Sequence, residues 1–313
     1  MGKRLVLLAM LLLIIGIPSW ADEIFTGFSY NGIVVLGGVK YAVDIPDDGN
    51  GIAMVMGIDD TAAARGVTRG IKFLGIWPED DKPTITFKES DLTRIHRVQA
   101  TPPGFEMFAK TRTAGSSNQD SETKMSTRSD DPDKEYTCEI KVIGYMAFAN
   151  CNDLETVNIP SSITTIWPCA FENCVNLKKV TIPESVKFLG GSAFAGCTSL
   201  TTVNLPTSLS ALYGAAFENC TSLTTITIPD GIEEIPMSAF YGCTNLSTVQ
   251  GGKGVKKIQK RAFENCYKLK TITLYNSLDS ICEYAFYMCN TLTNITIPKS
   301  LTGFGKFAFG GCI

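Results

Sequence analysis

Apolar and polar residues follow a 23-residue unit that recurs through the second half of the chain. In one copy, Cys220–Cys243, apolar residues stand at Leu223, Ile226 and Ile228, and a threonine precedes each isoleucine. Alternation with a period of two predicts a short strand whose isoleucines point inward and whose threonines point outward. We expect Pro229 to end this strand, because proline has no N–H to donate to a neighbouring strand.

A second apolar run follows the proline within each unit. Ile232 and Ile235 mark it in this copy, and the Ala-Phe pair that follows predicts a short turn of α- or 3₁₀-helix. The residue before the repeat cysteine is Asn or Gly in seven of eight copies, and Met288 is the exception. Both residue types tolerate the left-handed conformation that closes a helical turn.

The sequence Ala-Phe followed by Cys three residues after the Phe occurs eight times, always with the same spacing. One unit cannot bury its own apolar face, whereas stacked units can. We therefore predict a repeat solenoid with a parallel β-sheet on one face and short helical or 3₁₀ turns on the other. The phenylalanines are Phe148, Phe171, Phe194, Phe217, Phe240, Phe263, Phe286 and Phe309.

This unit, Leu-Thr-Thr-Ile-Thr-Ile-Pro followed by Ala-Phe-x-x-Cys, resembles the BspA-like leucine-rich repeat of bacterial and protist surface proteins. The resemblance covers about residues 138–313. It implies a curved solenoid, display outside the cell, and adhesion to host proteins or other cells. The motif is specific for the repeat class and says little about the ligand.

Residues 1–21 are typical of a secretory signal peptide. Lys3 and Arg4 precede an apolar run, Leu5–Ile17, and small residues stand at Ser19 and Ala21. The alternative is a membrane anchor, but the run is short for a bilayer. We expect cleavage after Ala21, no membrane-spanning segment in the mature chain, and a secreted or cell-surface protein.

The remaining chain divides into three predicted parts. Residues 22–110 contain β-rich runs broken by glycine and form either a small β-rich domain or degenerate capping repeats. Residues 111–136 are polar, as in a linker, although an ordered surface loop is the alternative. Residues 137–313 hold about eight 23-residue repeats.

The composition argues against an enzyme. The chain has 313 residues, a net charge of −3 and a single histidine, His96, which lies outside the repeats. A serine or cysteine triad of the usual kind would need this residue. The acidic, glycine-containing stretch at 44–51 lacks the glutamate of a calcium loop and indicates a plain turn. We expect no cofactor, no metal and no nucleic-acid partner.

The eight repeat cysteines share one position in the unit. They should form one column of small, buried thiols, because parallel Cβ atoms are too far apart for disulfides and a straight column does not converge on a metal. Cys138, Cys169 and Cys282 lie off the column, and no pairing follows for them. The column cysteines are Cys151, Cys174, Cys197, Cys220, Cys243, Cys266, Cys289 and Cys312.

Two surface features are candidate binding residues. The first is a row of outward polar residues on the predicted strands of repeats three to six: Thr202, Asn204, Thr225, Thr227, Thr248, Gln250, Thr271 and Thr273. The second is a basic cluster in repeat five, which also replaces the expected apolar residue and proline by Gly251 and Gly252: Lys253, Lys256, Lys257, Lys260 and Arg261.

Together these features predict a protein-binding module, an adhesin for host matrix proteins, glycoproteins or other cells. A structural protein of the cell envelope that assembles through the same solenoid is the alternative. Threonines also suit exposed strands for purely structural reasons, and the lysines also fit a solvated face.

Overall fold

The structure, a computed structural model, describes residues 28–36, 39–44, 50–58, 84–88, 93–100 and 135–312. The predicted signal peptide and almost all of the predicted linker lie outside these ranges. Among the described residues, no helix is long and apolar enough to cross a membrane.

The described residues form five strands before the linker and a further series within the repeats. The first five are β1 (Phe28–Leu36), β2 (Val39–Asp44), β3 (Asn50–Ile58), β4 (Thr84–Lys88) and β5 (Thr93–Ala100). The others are β6 (Glu135–Ile143), β7 (Thr156–Asn158), β8 (Thr165–Ile166), β9 (Lys179–Thr181), β10 (Phe188–Leu189), β11 (Thr202–Asn204), β12 (Ala211–Leu212), β13 (Thr225–Ile228), β14 (Glu234–Ile235), β15 (Thr248–Gly251), β16 (Lys257–Ile258), β17 (Thr271–Ile272), β18 (Ser280–Ile281) and β19 (Gly303–Phe304).

Successive repeats pair in parallel along two sides of a solenoid. On the first side the strand before each proline pairs with its copy in the next repeat, as Ile226 pairs with Val249. On the second side the later apolar run pairs in the same way, as Ile235 pairs with Ile258. The predicted parallel solenoid is confirmed, and β13 ends immediately before Pro229 as expected.

The third side of the solenoid consists of turns, so the prediction of short helical segments there was wrong. In all seven repeats that have a successor, the N–H of the repeat phenylalanine donates to the alanine carbonyl of the next repeat, as Phe194 does to Ala216 at 2.9 Å. That N–H is therefore not available for a bond within its own turn. Along each turn, N–H groups that bond to the next repeat alternate with N–H groups that bond within the turn, as Cys197 does to Phe194.

Each turn contains two residues in the left-handed conformation. The residue before the repeat cysteine has a φ of +57° to +79° in all eight copies, Met288 included, which confirms the expectation from Asn and Gly. The residue two positions before each phenylalanine is also left-handed, with φ between +53° and +58°. This second position was not predicted, because Ser, Arg and Tyr are among the residues that occupy it.

The repeat phenylalanines stack face to face through the interior. Neighbouring ring centroids lie 5.1 to 5.7 Å apart, and the interplanar angles are between 2° and 17°. Phe171 to Phe286 are fully buried. One continuous core therefore runs the length of the solenoid, and each repeat contacts only its neighbours.

The N-terminal strands extend the second side of the solenoid. β1, β2 and β3 pair in antiparallel order, β5 lies against β1, and β3 pairs in parallel with β6. β6 in turn pairs with β8 of the first repeat. The predicted β-rich N-terminal region is confirmed, and its strands continue the sheet beyond the first repeat.

Both parallel ladders are interrupted between repeats three and four. No strand pairing joins β11 to β13 or β12 to β14 in the described part of the chain. On the second side the reason is Pro236, which has no N–H to donate. At the same position of the neighbouring repeats, the N–H groups of Tyr213 and Gln259 donate to the carbonyls of Leu189 and Ile235. The phenylalanine stack and the turn-side bonds carry the solenoid across this junction.

Removing one ring from the stack should be costly. We expect Phe217→Ala to lower the free energy of unfolding by about 3–5 kcal/mol, because the ring is fully buried and contacts a ring on each side. Denaturant titration measures this change. Tyr267→Ala is the control, since this side chain is 40% exposed. A loss below about 1 kcal/mol for Phe217→Ala would mean that the stack is not the core.

Candidate ligand-binding surface

The outward residues of the first side form straight polar rows. Its three-residue strands alternate exposed, buried and exposed positions, as predicted. Thr225, Thr248 and Thr271 are in register with one another, and Thr227 faces Gln250. All eight predicted row residues are exposed except Thr248, which is half-buried. We call this surface the threonine face.

The threonine face carries almost no charge. Lys179 is the one charged residue among the outward strand positions from Thr156 to Thr273. Thr273 lies just beyond the end of β17 but is still exposed beside the same rows. The face is therefore extended and rich in hydroxyl groups, which can both donate and accept hydrogen bonds.

The predicted basic cluster lies in repeat five, but acids from the neighbouring repeats accompany it. Lys253 lies 3.6 Å from the carboxylate of Asp230, and Lys256 lies 2.8 Å from that of Glu233. These acids belong to repeat four, where they occupy the same positions of the unit as the two lysines do in repeat five. Stacking thus brings acids to the cluster as well as lysines.

At the other end of the cluster, Lys260 pairs with an acid of the following repeat instead of the preceding one. Lys260 lies 2.9 Å from Glu283, which occupies the equivalent position in the next repeat. Arg261 lies 3.4 Å from Glu264 and 5.8 Å from the ring centre of Tyr284. The cluster is therefore a lattice of ion pairs and not an isolated positive patch. The pairs of Lys253, Lys256 and Lys260 are exposed, whereas the Glu264 side chain beside Arg261 is only 11% exposed.

Two members of these ion pairs have a shifted pKa. The hydrogen bond to Glu233 raises the pKa of Lys256, and the hydrogen bond from Lys260 lowers the pKa of the Glu283 carboxyl. The sequence pattern predicted a basic patch because no acid lies between Glu234 and Glu264, whereas Glu233 and Glu283 reach the cluster from equivalent positions of the neighbouring repeats.

The cysteines form the buried column that was expected. From Cys174 to Cys312, each thiol donates to the carbonyl of a phenylalanine 26 residues earlier, at 3.0 to 3.3 Å. Burial raises the pKa of the Cys243 thiol to about 12. Cys169 and Cys282 are also free thiols, and the side chain of Cys138 lies outside the described residues.

The described part of the chain contains no group of three His, Cys, Asp or Glu side chains that could bind a metal ion. The side chain of His96 and most of the turn at 44–51 lie outside the described residues.

The family model of the BspA-type leucine-rich repeat region matches residues 135–245 and 210–313, with six copies. These ranges cover more than half of the chain. The chain belongs to the BspA-type leucine-rich repeat family. The leucine-rich repeat fold is typically a scaffold for binding other proteins, because it presents an extended surface built from repeated units.

Several solved structures resemble this BspA-type protein. A leucine-rich repeat protein of T. pallidum is 31% identical, with a TM-score of 0.49 over 51% of this chain and 77% of that chain. A leucine-rich cell surface protein of Faecalibacterium prausnitzii is 19% identical, with a TM-score of 0.47 over 88% of this chain and 73% of that one. The pneumococcal vaccine antigen PcpA is 15% identical, with a TM-score of 0.31 over 90% and 80%. No curated protein matches the chain.

The pairing of the basic cluster can be tested by titration. Lys260→Ala should raise the pKa of the Glu283 carboxyl towards its ordinary range, because the hydrogen bond from the lysine favours the charged form. NMR titration of side-chain carboxyl carbons measures it. Lys268→Ala is the control, since Lys268 contacts the Asn245 amide oxygen instead. An unchanged Glu283 pKa in Lys260→Ala would contradict the ion-pair lattice.

Proposed function

We propose that this BspA-type protein is exported and acts as an adhesin that binds host matrix proteins, glycoproteins or other cells. The observation that carries the proposal is the threonine face. Its rows of hydroxyl groups lie in register on a rigid core, with almost no charge to desolvate. Such a face suits many weak contacts with an extended polar partner.

Export is supported by the N-terminal sequence. Lys3 and Arg4 followed by Leu5–Ile17 fit a signal peptide, and the mature chain would begin at Asp22. Membership of the repeat family fits this location. The F. prausnitzii protein of similar structure is described as a leucine-rich cell surface protein.

The basic cluster would contribute to association rather than to tight binding. Exposed ion pairs contribute little to stability, so Lys256 and Lys260 can exchange Glu233 and Glu283 for acidic groups of a ligand. Such contacts are screened over about 8 Å at physiological ionic strength. The cluster should therefore favour acidic or sialylated ligands most at low salt.

The test is a binding array of matrix proteins and glycans probed with the exported protein. We expect at least one protein or glycoprotein to bind, and Thr225→Arg with Thr271→Arg to weaken that binding about tenfold or more by placing bulk and charge on the threonine face. The matched control is Asn152→Arg with Asn176→Arg, which adds the same charge at exposed corners of repeats one and two.

The same measurement at low and physiological salt defines the role of the cluster. Alanine at Lys256, Lys257, Lys260 and Arg261 should reduce both the affinity and its dependence on salt. No binding to any protein or glycan above background would contradict the proposed function. Equal loss in the face variant and in the control would place the binding surface elsewhere.

A further inference from the structure

The junction between repeats three and four is the one place in the described repeats where both strand ladders stop. Between repeats six and seven only the first-side ladder stops, because β18 still pairs with β19. At the other junctions both ladders are continuous. We call the junction between repeats three and four, residues 198–220 and 221–243, the seam.

On its second side the seam lacks the backbone bonds that join every other pair of neighbouring repeats. Within the described residues no backbone N–H donates to the carbonyl of Ser210 or of Leu212. At the next junction the N–H of Gln259 donates to the carbonyl of Ile235 at 2.9 Å, but Pro236 cannot do the same for Leu212. Apolar packing closes this side instead, since Leu212 and Ile235 are 8% and 3% exposed.

The corner between the two ladders is also unbonded at the seam. In repeats three, six and seven a serine at this corner donates to a carbonyl of the preceding repeat, as Ser208 does to Val186 at 3.2 Å. Repeat four has Gly231 instead, which carries no hydroxyl. Its acids, Asp230 and Glu233, pair with lysines of repeat five. Among the described residues, repeat four is therefore bonded at this corner to repeat five and not to repeat three.

The turn side, in contrast, keeps its bonds across the seam. The N–H of Phe217 donates to the carbonyl of Ala239 at 2.9 Å, and its ring stacks on that of repeat four at 5.6 Å. Of the first-side bonds that remain, the one from the Thr224 N–H to the Thr201 carbonyl is 3.4 Å long, whereas the equivalent bond of Ser247 is 2.9 Å long. The seam is thus bonded along the turn side and weakest at the opposite corner.

We propose that the seam is a hinge, at which repeats one to three and repeats four to seven turn as two rigid blocks about the bonded turn side. Opening at the corner exposes apolar side chains of the second side but breaks no strand ladder. The threonine face crosses the seam, so its curvature follows the hinge angle. The inference concerns motion within the solenoid and does not depend on the proposed binding function.

The other repeats supply the residues that would close the seam. Pro236→Gln restores the N–H that Gln259 provides at the next junction, and Gly231→Ser restores the hydroxyl that Ser208 provides at the preceding one. A Cβ atom at Gly231 would lie 3.5 Å from the carbonyl oxygen of Leu209, an ordinary contact, so a serine fits there. We call this double variant the closed-seam protein.

The test is amide hydrogen exchange of the full chain under native conditions, followed residue by residue by NMR. In the wild type we expect the N–H of Thr224 to be about tenfold less protected than those of Thr201 and Ser247, because the hinge opens its bond transiently. The N–H of Phe217 should be as protected as that of Phe194, because the turn side stays bonded.

The closed-seam protein tests whether the sides of the seam open together. Exchange at Thr224 should slow about tenfold, although both substitutions lie on other sides of the solenoid. Gly231→Ser alone, which leaves the backbone bonds as they are, should have a smaller effect in the same direction. Conversely, Gln259→Pro should speed exchange at Ser247, whereas Gln259→Ala, which keeps the N–H, should leave it unchanged.

Three results would overturn the hinge. Protection of Thr224 equal to that of Thr201 and Ser247 in the wild type would mean that this junction does not open. Exchange at Phe217 as fast as at Thr224 would mean that the blocks separate instead of turning about the turn side. Exchange at Thr224 as fast in the closed-seam protein as in the wild type would mean that the missing second-side bonds do not control the motion.

Discussion

The backbone of each repeat bonds to the repeats before and after it, so every repeat must follow the same path. On the strand sides N–H groups of the later repeat donate to the earlier one at the strand ends, as Gln259 does to Ile235, and on the turn side Phe194 and its equivalents donate to the later one. Because these bonds lie along the axis, a change in repeat length would break three sets of bonds at once. The constant 23-residue spacing follows from this constraint.

The same constraint places side chains from adjacent repeats in contact. Lys256 meets Glu233, Cys220 reaches the carbonyl of Phe194, and the phenylalanine rings stack. A substitution in one repeat therefore changes the contacts of side chains in the neighbouring repeats. Gly251 shows the converse case, because the column that lacks a side chain there continues with Leu274, which is only half-buried.

Much of the fold could be predicted from the sequence, because a strict 23-residue period places equivalent residues of successive repeats in one column. The strand ends, the buried cysteines and the left-handed residue at Met288 follow from it. The second left-handed position could not be predicted, since a residue such as Tyr284 has no preference for a positive φ. Tyr284 adopts this conformation because its N–H donates to the carbonyl of Lys306 in the next repeat. The left-handed path of the chain at Gly251 and Gly252 was likewise visible only in the structure.

The most direct test of this account is to delete one repeat. Removal of residues 198–220 joins Cys197 to Thr221-Ser222-Leu223, the same three residue types that follow it now. We expect this protein to keep the β-sheet circular dichroism and a cooperative unfolding transition. Removal of residues 198–217, which shifts every later column by three positions, should abolish the transition. If both deletions unfold the protein, or both leave it folded, the stacked 23-residue path does not hold the structure together.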